Sequence, residues 1–193
     1  MTFKEADSGK VNPNFGNNTS SLSYSKNCQS CVVCYQLRRN GFNVQVKGIP
    51  IDAKGDIIRS GKMYELAQHP EKAWINPKTG LPPELNICDV TTPTKAYNWL
   101  NDNVKDGTYS FRIVWKGGKK ASGHIVIAHK ENGNLTIYDA QTNKEYFNET
   151  SITSEFFDNC RLRTKEKVYK PFIFRTDNLD INPEYADAIV EKA

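Results

Sequence analysis

Nowhere in the 193-residue chain do about 18 apolar residues follow one another, so no membrane-crossing helix and no membrane partner are expected. The opening MTFKEADSGK has no apolar run of the kind a secretory signal needs. Charge of one sign is not in excess either: 26 Lys and Arg stand against 22 Asp and Glu, a formal +4. The basic residues are scattered, with RLRTKEK at 161–167 and Arg38–Arg39 as the densest groups. A nucleic-acid binder gathers its cations on one face with aromatics between them, so nucleic acid is not expected as a partner. No internal repeat is visible, and low complexity is confined to a polar lead-in. Cysteine is sparse and odd in number, five in a chain long enough to bury a core without staples, which argues against a secreted disulfide scaffold and for free thiols in a reducing compartment. These absences leave a soluble, cytoplasmic protein as the expectation.

With 38% hydrophobic and 25% charged residues, the composition is that of a folding chain rather than a disordered one, and the length suits one compact domain. Residues 1–26 are rich in Asn, Ser, Gly and Lys, with turn signals at Asn12-Pro13-Asn14 and Gly16-Asn17-Asn18, and read as an irregular lead-in to a single domain over 27–193. From Asn27 to Asn40 no Pro or Gly intervenes, and Cys28, Cys31, Val32, Tyr35 and the Arg38/Arg39 pair recur at helical spacing. Asn27 is a favoured N-cap residue and Gly41 a favoured residue just past a helix end, so a helix with Cys28 in its first turn is predicted. A strand follows at 42–46. Residues 47–92 carry most of the prolines and only a short helix near Lys62 to His69. Thr94 is expected to cap a helix ending at Asp106-Gly107. Strands follow at 108–115, 123–130 and 134–141, separated by Gly117-Gly118 and by Asn132-Gly133-Asn134, the latter a strong hairpin signal. A further strand at 168–175 and a helix through PEYADAIVEKA complete an α+β pattern.

The crowding of Cys28, Cys31 and Cys34 admits three chemistries. A metal clip needs converging ligands, but the C-x-x-C of Cys28 and Cys31 has no second half-site, and Cys88 and Cys160 are isolated. A redox pair at a helix start belongs after a strand in a βαβ unit, whereas an irregular segment precedes this one. A nucleophile at a helix N-terminus is the third reading, because the dipole and the unpaired amides favour a thiolate and can hold a developing oxyanion. Cys28 fits that place, with Cys31 and Cys34 read as small buried hydrophobes and Cys31 also kept as the alternative nucleophile. A base and an orienter are offered by His124, opening one predicted strand, and Asp139, closing the next, with Gln141 just beyond. On a strand His129, five residues past His124, faces the other side, and His69 lies in the irregular region.

Four blocks in order, VNPNF (11–15), NCQSCVVCYQLRRNGFNV (27–44), GHIVIA (123–128) and LTIYDAQT (135–142), resemble the papain-fold toxin domains of glutamine deamidase type found in bacterial polymorphic toxins and phage head-morphogenesis-type proteins. The family pattern more often has Ala where Cys34 stands and Pro where Ala140 stands, and neither change removes a catalytic group. The resemblance implies an α+β papain-like cysteine-hydrolase fold, with the nucleophile helix packed on an antiparallel sheet. It implies Cys28 as nucleophile, His124 as base and Asp139 as orienter, with Asn27 and Gln141 beside the site for substrate or oxyanion. No metal or cofactor is implied. The activity implied is deamidation of protein glutamine through a thioester, in another cell's cytoplasm after delivery, with a cognate immunity protein as a further partner. The same triad serves a cysteine protease or a transglutaminase, and a non-catalytic module could keep the fold.

Overall fold

The computed structural model of the protein describes residues 3–16, 21–117, 123–166 and 169–193. In chain order these form α1 (Phe3–Asp7), α2 (Ser21–Tyr24), α3 (Cys28–Arg39), β1 (Val44–Val46), α4 (Gly61–Gln68), β2 (Trp74–Ile75), β3 (Asn86–Ile87), α5 (Pro93–Asn103), β4 (Gly107–Val114), β5 (Gly123–Glu131), β6 (Asn134–Asp139), β7 (Lys144–Tyr146), β8 (Phe172–Arg175), β9 (Asp180–Ile181), α6 (Pro183–Ile189) and β10 (Val190–Lys192). They divide into two compact units. The first comprises 1–83, 139–143 and 179–193, and the second 84–138 and 144–178.

The first unit is built around α3. Its interior has no helix breaker, and Gly41, at φ 94°, takes the left-handed position that ends it. Gln29 through Tyr35 are all buried, so the middle of α3 is covered on every side rather than along one stripe. It packs against α1, α4, α6 and β1. β1 pairs antiparallel with β10, Val44 opposite Lys192 and Val46 opposite Val190, and the two form an antiparallel ribbon beside the helix. Arg38 fastens this arrangement by donating from Nε to the Ala6 carbonyl at 2.7 Å and from Nη1 to the Val44 carbonyl at 2.8 Å. Two expectations need correction. The lead-in contains α1 and α2, with Ala6, Asp7, Val11 and Asn12 buried, because its few apolar side chains are spent on α3. The C-terminal helix stops at Ile189, since residues 190–192 gain more from strand pairing with β1 than from another helical turn.

The second unit is an antiparallel sheet in the order β3-β8-β4-β5-β6-β7 among the described residues, with α5 and the Ser151–Asn159 turns against it. Tyr109, Phe111 and Ile113 alternate on β4 and share a core with Val126 and Ala128 of β5, Leu135 and Ile137 of β6 and Ile173 of β8. The hairpin signal acts as its chemistry requires: Asn132 at φ 51° and Gly133 at φ 80° turn β5 into β6. The cap of α5 is Thr92 rather than Thr94. Thr92 Oγ1 accepts the Lys95 N–H at 3.4 Å, and Pro93 occupies the first helical position, where its missing N–H costs nothing. That helix ends at Asn103 rather than at Asp106-Gly107, and Gly107 instead opens β4. The Gly16-Asn17-Asn18 and Gly117-Gly118 turns and the start of the strand expected at 168–175 extend outside the described residues; within them that strand is β8.

Phe156 is the hub of this core. It is fully buried and lies 5.2 Å from the Tyr146 ring, 5.4 Å from Phe157, 5.5 Å from Trp115 and 6.0 Å from Phe111. Phe156→Ala is expected to cost about 3–5 kcal/mol of stability, read as a lowered urea midpoint, because four rings cannot collapse into the space it leaves.

Candidate functional site

The site starts at the first residue of α3, Cys28. Helical geometry leaves the first N–H groups without intrahelical acceptors. The Asn27 carbonyl takes those of Ser30 at 2.9 Å and Cys31 at 3.1 Å, which leaves the N–H groups of Cys28 and Gln29 at the positive end of the dipole. A sulfur there is well placed to carry negative charge, and a carbonyl bound to it would find its developing oxyanion near the same amides.

Asn27 holds the N-cap position but does not cap: its φ and ψ are −112° and 26°, and its side chain makes no bond to the first turn's N–H groups. Its amide is committed elsewhere. Nδ2 donates to the Lys47 carbonyl at 3.1 Å, and Oδ1 accepts from Gln141 Nε2 at 3.0 Å, Asn12 Nδ2 at 3.3 Å and Cys31 Sγ at 3.6 Å. Gln141 Nε2 also donates to the Tyr24 carbonyl at 3.1 Å, so both hydrogens of that amide are engaged by the protein. The Gln141 N–H groups are therefore not free to meet an oxyanion in this state; what they do is tie the segment after β6 to the start of α3. Gln141→Leu is expected to lower stability by about 1–3 kcal/mol, because it withdraws donors from two buried acceptors. A shifted urea midpoint with an unchanged slope checks this.

Asp139 is buried, and its carboxylate is fixed locally: Oδ1 accepts the Gln141 backbone N–H at 3.0 Å and Oδ2 accepts the Thr142 hydroxyl at 2.9 Å. The first unit thus brings Asn27, Cys28, Cys31, Asp139 and Gln141 into one neighbourhood. His124 belongs to the second unit. It lies on β5 opposite Ile113 of β4, is buried, and stacks on the Trp115 ring at 5.4 Å with 30° between the planes. Trp115 is in turn braced edge-on by Phe156. His129 is on the other face of β5, its Nδ1 3.0 Å from the Thr108 hydroxyl. His69 is exposed beside Glu71.

All five thiols are free, and Cys28 alone is partly exposed. Burial pushes the Cys31 thiol well above its ordinary pKa, and the neighbouring Cys28 sulfur and the Asp139 and Asp7 carboxylates push in the same direction. Cys34 is raised to about 12 by burial, against the pull of Arg38, and donates to the Val44 carbonyl at 3.6 Å. Burial raises Cys88 to about 12 and Cys160 higher still. These four remain protonated near neutral pH, poor as nucleophiles and as metal ligands. Among the described residues no group of three or more His, Cys, Asp or Glu side chains gathers as a metal site would.

Sequence reasoning passed over three contributors. Trp115 closes the predicted strand 108–115, and pairing of that strand with 123–130 sets it near His124. Asn12, within the quoted VNPNF, bonds Asn27 and the Tyr24 carbonyl. Gln29 is nearly fully buried beside Cys28, and a polar residue following that cysteine in a helix's first turn is the available signal.

Comparison with curated proteins gives no match. The family described as "Papain fold toxin 1, glutamine deamidase" matches residues 26–144, a segment that begins just before Cys28 and contains His124, Asp139 and Gln141. A match over more than half of the chain, on a protein whose α+β architecture carries a partly exposed cysteine at the head of its central helix, shows that this chain belongs to the papain-fold toxin family of glutamine deamidases and has that family's fold.

Proposed function

We propose that this protein deamidates glutamine side chains of a target protein with Cys28, His124 and Asp139 acting as nucleophile, acid–base and orienter. The observation that carries this reading is that Cys28, alone among five cysteines, reaches solvent, and does so at the amide-rich start of α3. His124 takes the Cys28 thiol proton as sulfur bonds to the carboxamide carbon and the carbonyl π pair moves to oxygen. The tetrahedral intermediate collapses, the C–N bond breaks, and the leaving nitrogen takes the proton from the imidazolium to depart as ammonia. Water, deprotonated by His124, then attacks the thioester, and the sulfur leaves and recovers the proton. Glutamine and water have become glutamate and ammonia. Asp139 holds the tautomer and stabilises the imidazolium, as an orienting carboxylate does. The Trp115 stack limits the ring's rotation.

By the same reading the protein acts in another cell's cytoplasm after delivery, and a cognate immunity protein guards its producer. The test is incubation of the purified protein with a bacterial lysate, followed by peptide mass spectrometry. Deamidation appears as a gain of about 1 Da at glutamine, with ammonia release, that is absent with Cys28→Ala. Backbone scission would make the protein a protease, amine incorporation a transglutaminase, and an unchanged lysate a non-catalytic module; each overturns the proposal.

A further inference from the structure

Gln29 presents a buried polar group whose use in the free protein is incomplete. Only 4% of its surface is exposed, and its Nε2 has no hydrogen-bond partner. Leaving a buried amide donor unsatisfied costs stability, so such a group calls for a physical account. The other end of the same carboxamide supplies one. Gln29 Oε1 lies 3.8 Å from Cys28 Sγ and accepts its thiol proton. Nε2 shares a carbon with that oxygen, so the vacant donor belongs to the same carboxamide that meets the sulfur on which the tetrahedral carbon must form. Asn12, Asn27 and Gln141, further side-chain amides near this helix start, have donors bound to the Lys47 carbonyl, the Tyr24 carbonyl and Asn27 Oδ1.

We infer that Gln29 is a catalytic residue whose Nε2–H donates to the oxyanion of the tetrahedral intermediate, alongside the N–H groups at the head of α3. This deepens the reading of Cys28 as nucleophile and rests on it. In the resting thiol the carboxamide accepts S–H. Once the π pair has moved onto the substrate oxygen, an acceptor with a full negative charge stands where none stood before, and the donor is satisfied only in that state. An interaction made only in the intermediate and the transition states flanking it raises kcat rather than tightening substrate binding.

The test is Gln29→Met, which keeps the length and shape of the side chain and deletes the donor, with Gln29→Glu as a second variant that keeps an acceptor and loses the donor. Four readouts are compared with wild type. Deamidation of an N-blocked Gln-Gly dipeptide should fall about 10²–10³-fold in kcat with KM little changed. Affinity for a glutamine-mimicking aldehyde, which forms a tetrahedral adduct on sulfur, should fall in parallel. Alkylation of Cys28 by iodoacetamide, a displacement at carbon that develops no oxyanion at a carbonyl, should stay within about threefold. Thermal stability of Gln29→Met should be equal or higher, because an unsatisfied buried group has been removed. Unchanged kcat and aldehyde affinity in both variants would overturn the inference, and so would a loss of alkylation matching the loss of kcat, which would mark Gln29 as structural. Cys28→Ala separates the two failures: if it keeps full activity the nucleophile assignment itself is wrong, whereas an inactive Cys28→Ala with fully active Gln29 variants removes only the role given to Gln29.

Discussion

Cys28→Ala is expected to lower glutamine deamidation at least about 10⁴-fold while leaving the folded protein intact. The size of the loss follows from the chemistry: without the sulfur no thioester forms, and only substrate positioning and oxyanion stabilisation remain to assist direct attack by water. Retention of the fold follows from the site. Cys28 is partly exposed, its thiol hydrogen-bonds the neighbouring Gln29 side chain, and alanine suits a helix start. Cys31→Ala is expected to behave oppositely. That sulfur is fully buried, its thiol is held protonated by burial, and it donates to Asn27 Oδ1. Its removal should cost about 1–2 kcal/mol of stability and leave most of the activity. Rates from ammonia release and stabilities from urea unfolding, measured on both variants, give a double dissociation between the two cysteines.

His124→Ala is expected to lower kcat about 10²–10⁴-fold, the usual contribution of a positioned acid–base. The proton transfers from the thiol, to the leaving nitrogen and from the attacking water all depend on the imidazole, and the sulfur, bonded to carbon by then, has no proton to give the leaving nitrogen. The companion control is His129→Ala. His129 faces the opposite side of β5 and contacts Thr108, so deamidation should stay within a few-fold of wild type. Trp115→Ala should fall between the two, since it frees the His124 ring from its stack without deleting it.

The parts of the fold that were legible in the sequence are those fixed by local chemistry. α3 was readable from 12 residues without a breaker and a glycine at φ 94° beyond them. β5 and β6 were readable from an Asn-Gly pair between alternating apolar runs. What escaped depends on distant partners. β10 is strand only because Val44–Val46, almost 150 residues earlier, offers an edge, and the local pattern of VEK argues as well for helix. β2 and β9 are two residues each and exist through each other. Asn27 shows the same division within the site. Its identity announced a helix start, and the start is there, but three other parts of the chain recruit its amide, and a side chain bonded to Lys47, Gln141 and Asn12 has no group left for capping. Gln141 stood out by its place after Asp139, but its engagement with Tyr24 and Asn27 could not be read from spacing.

The central claim is that Cys28 carries the acyl group of the glutamine. Its most direct test is acid quenching during turnover of an N-blocked Gln-Gly dipeptide by the wild-type protein, followed by digestion and mass mapping of the cysteine peptides. The account predicts a transient acyl adduct, formed with loss of ammonia, on the peptide containing Cys28 and located at that sulfur. An adduct at Cys31, or full turnover by Cys28→Ala, would contradict it.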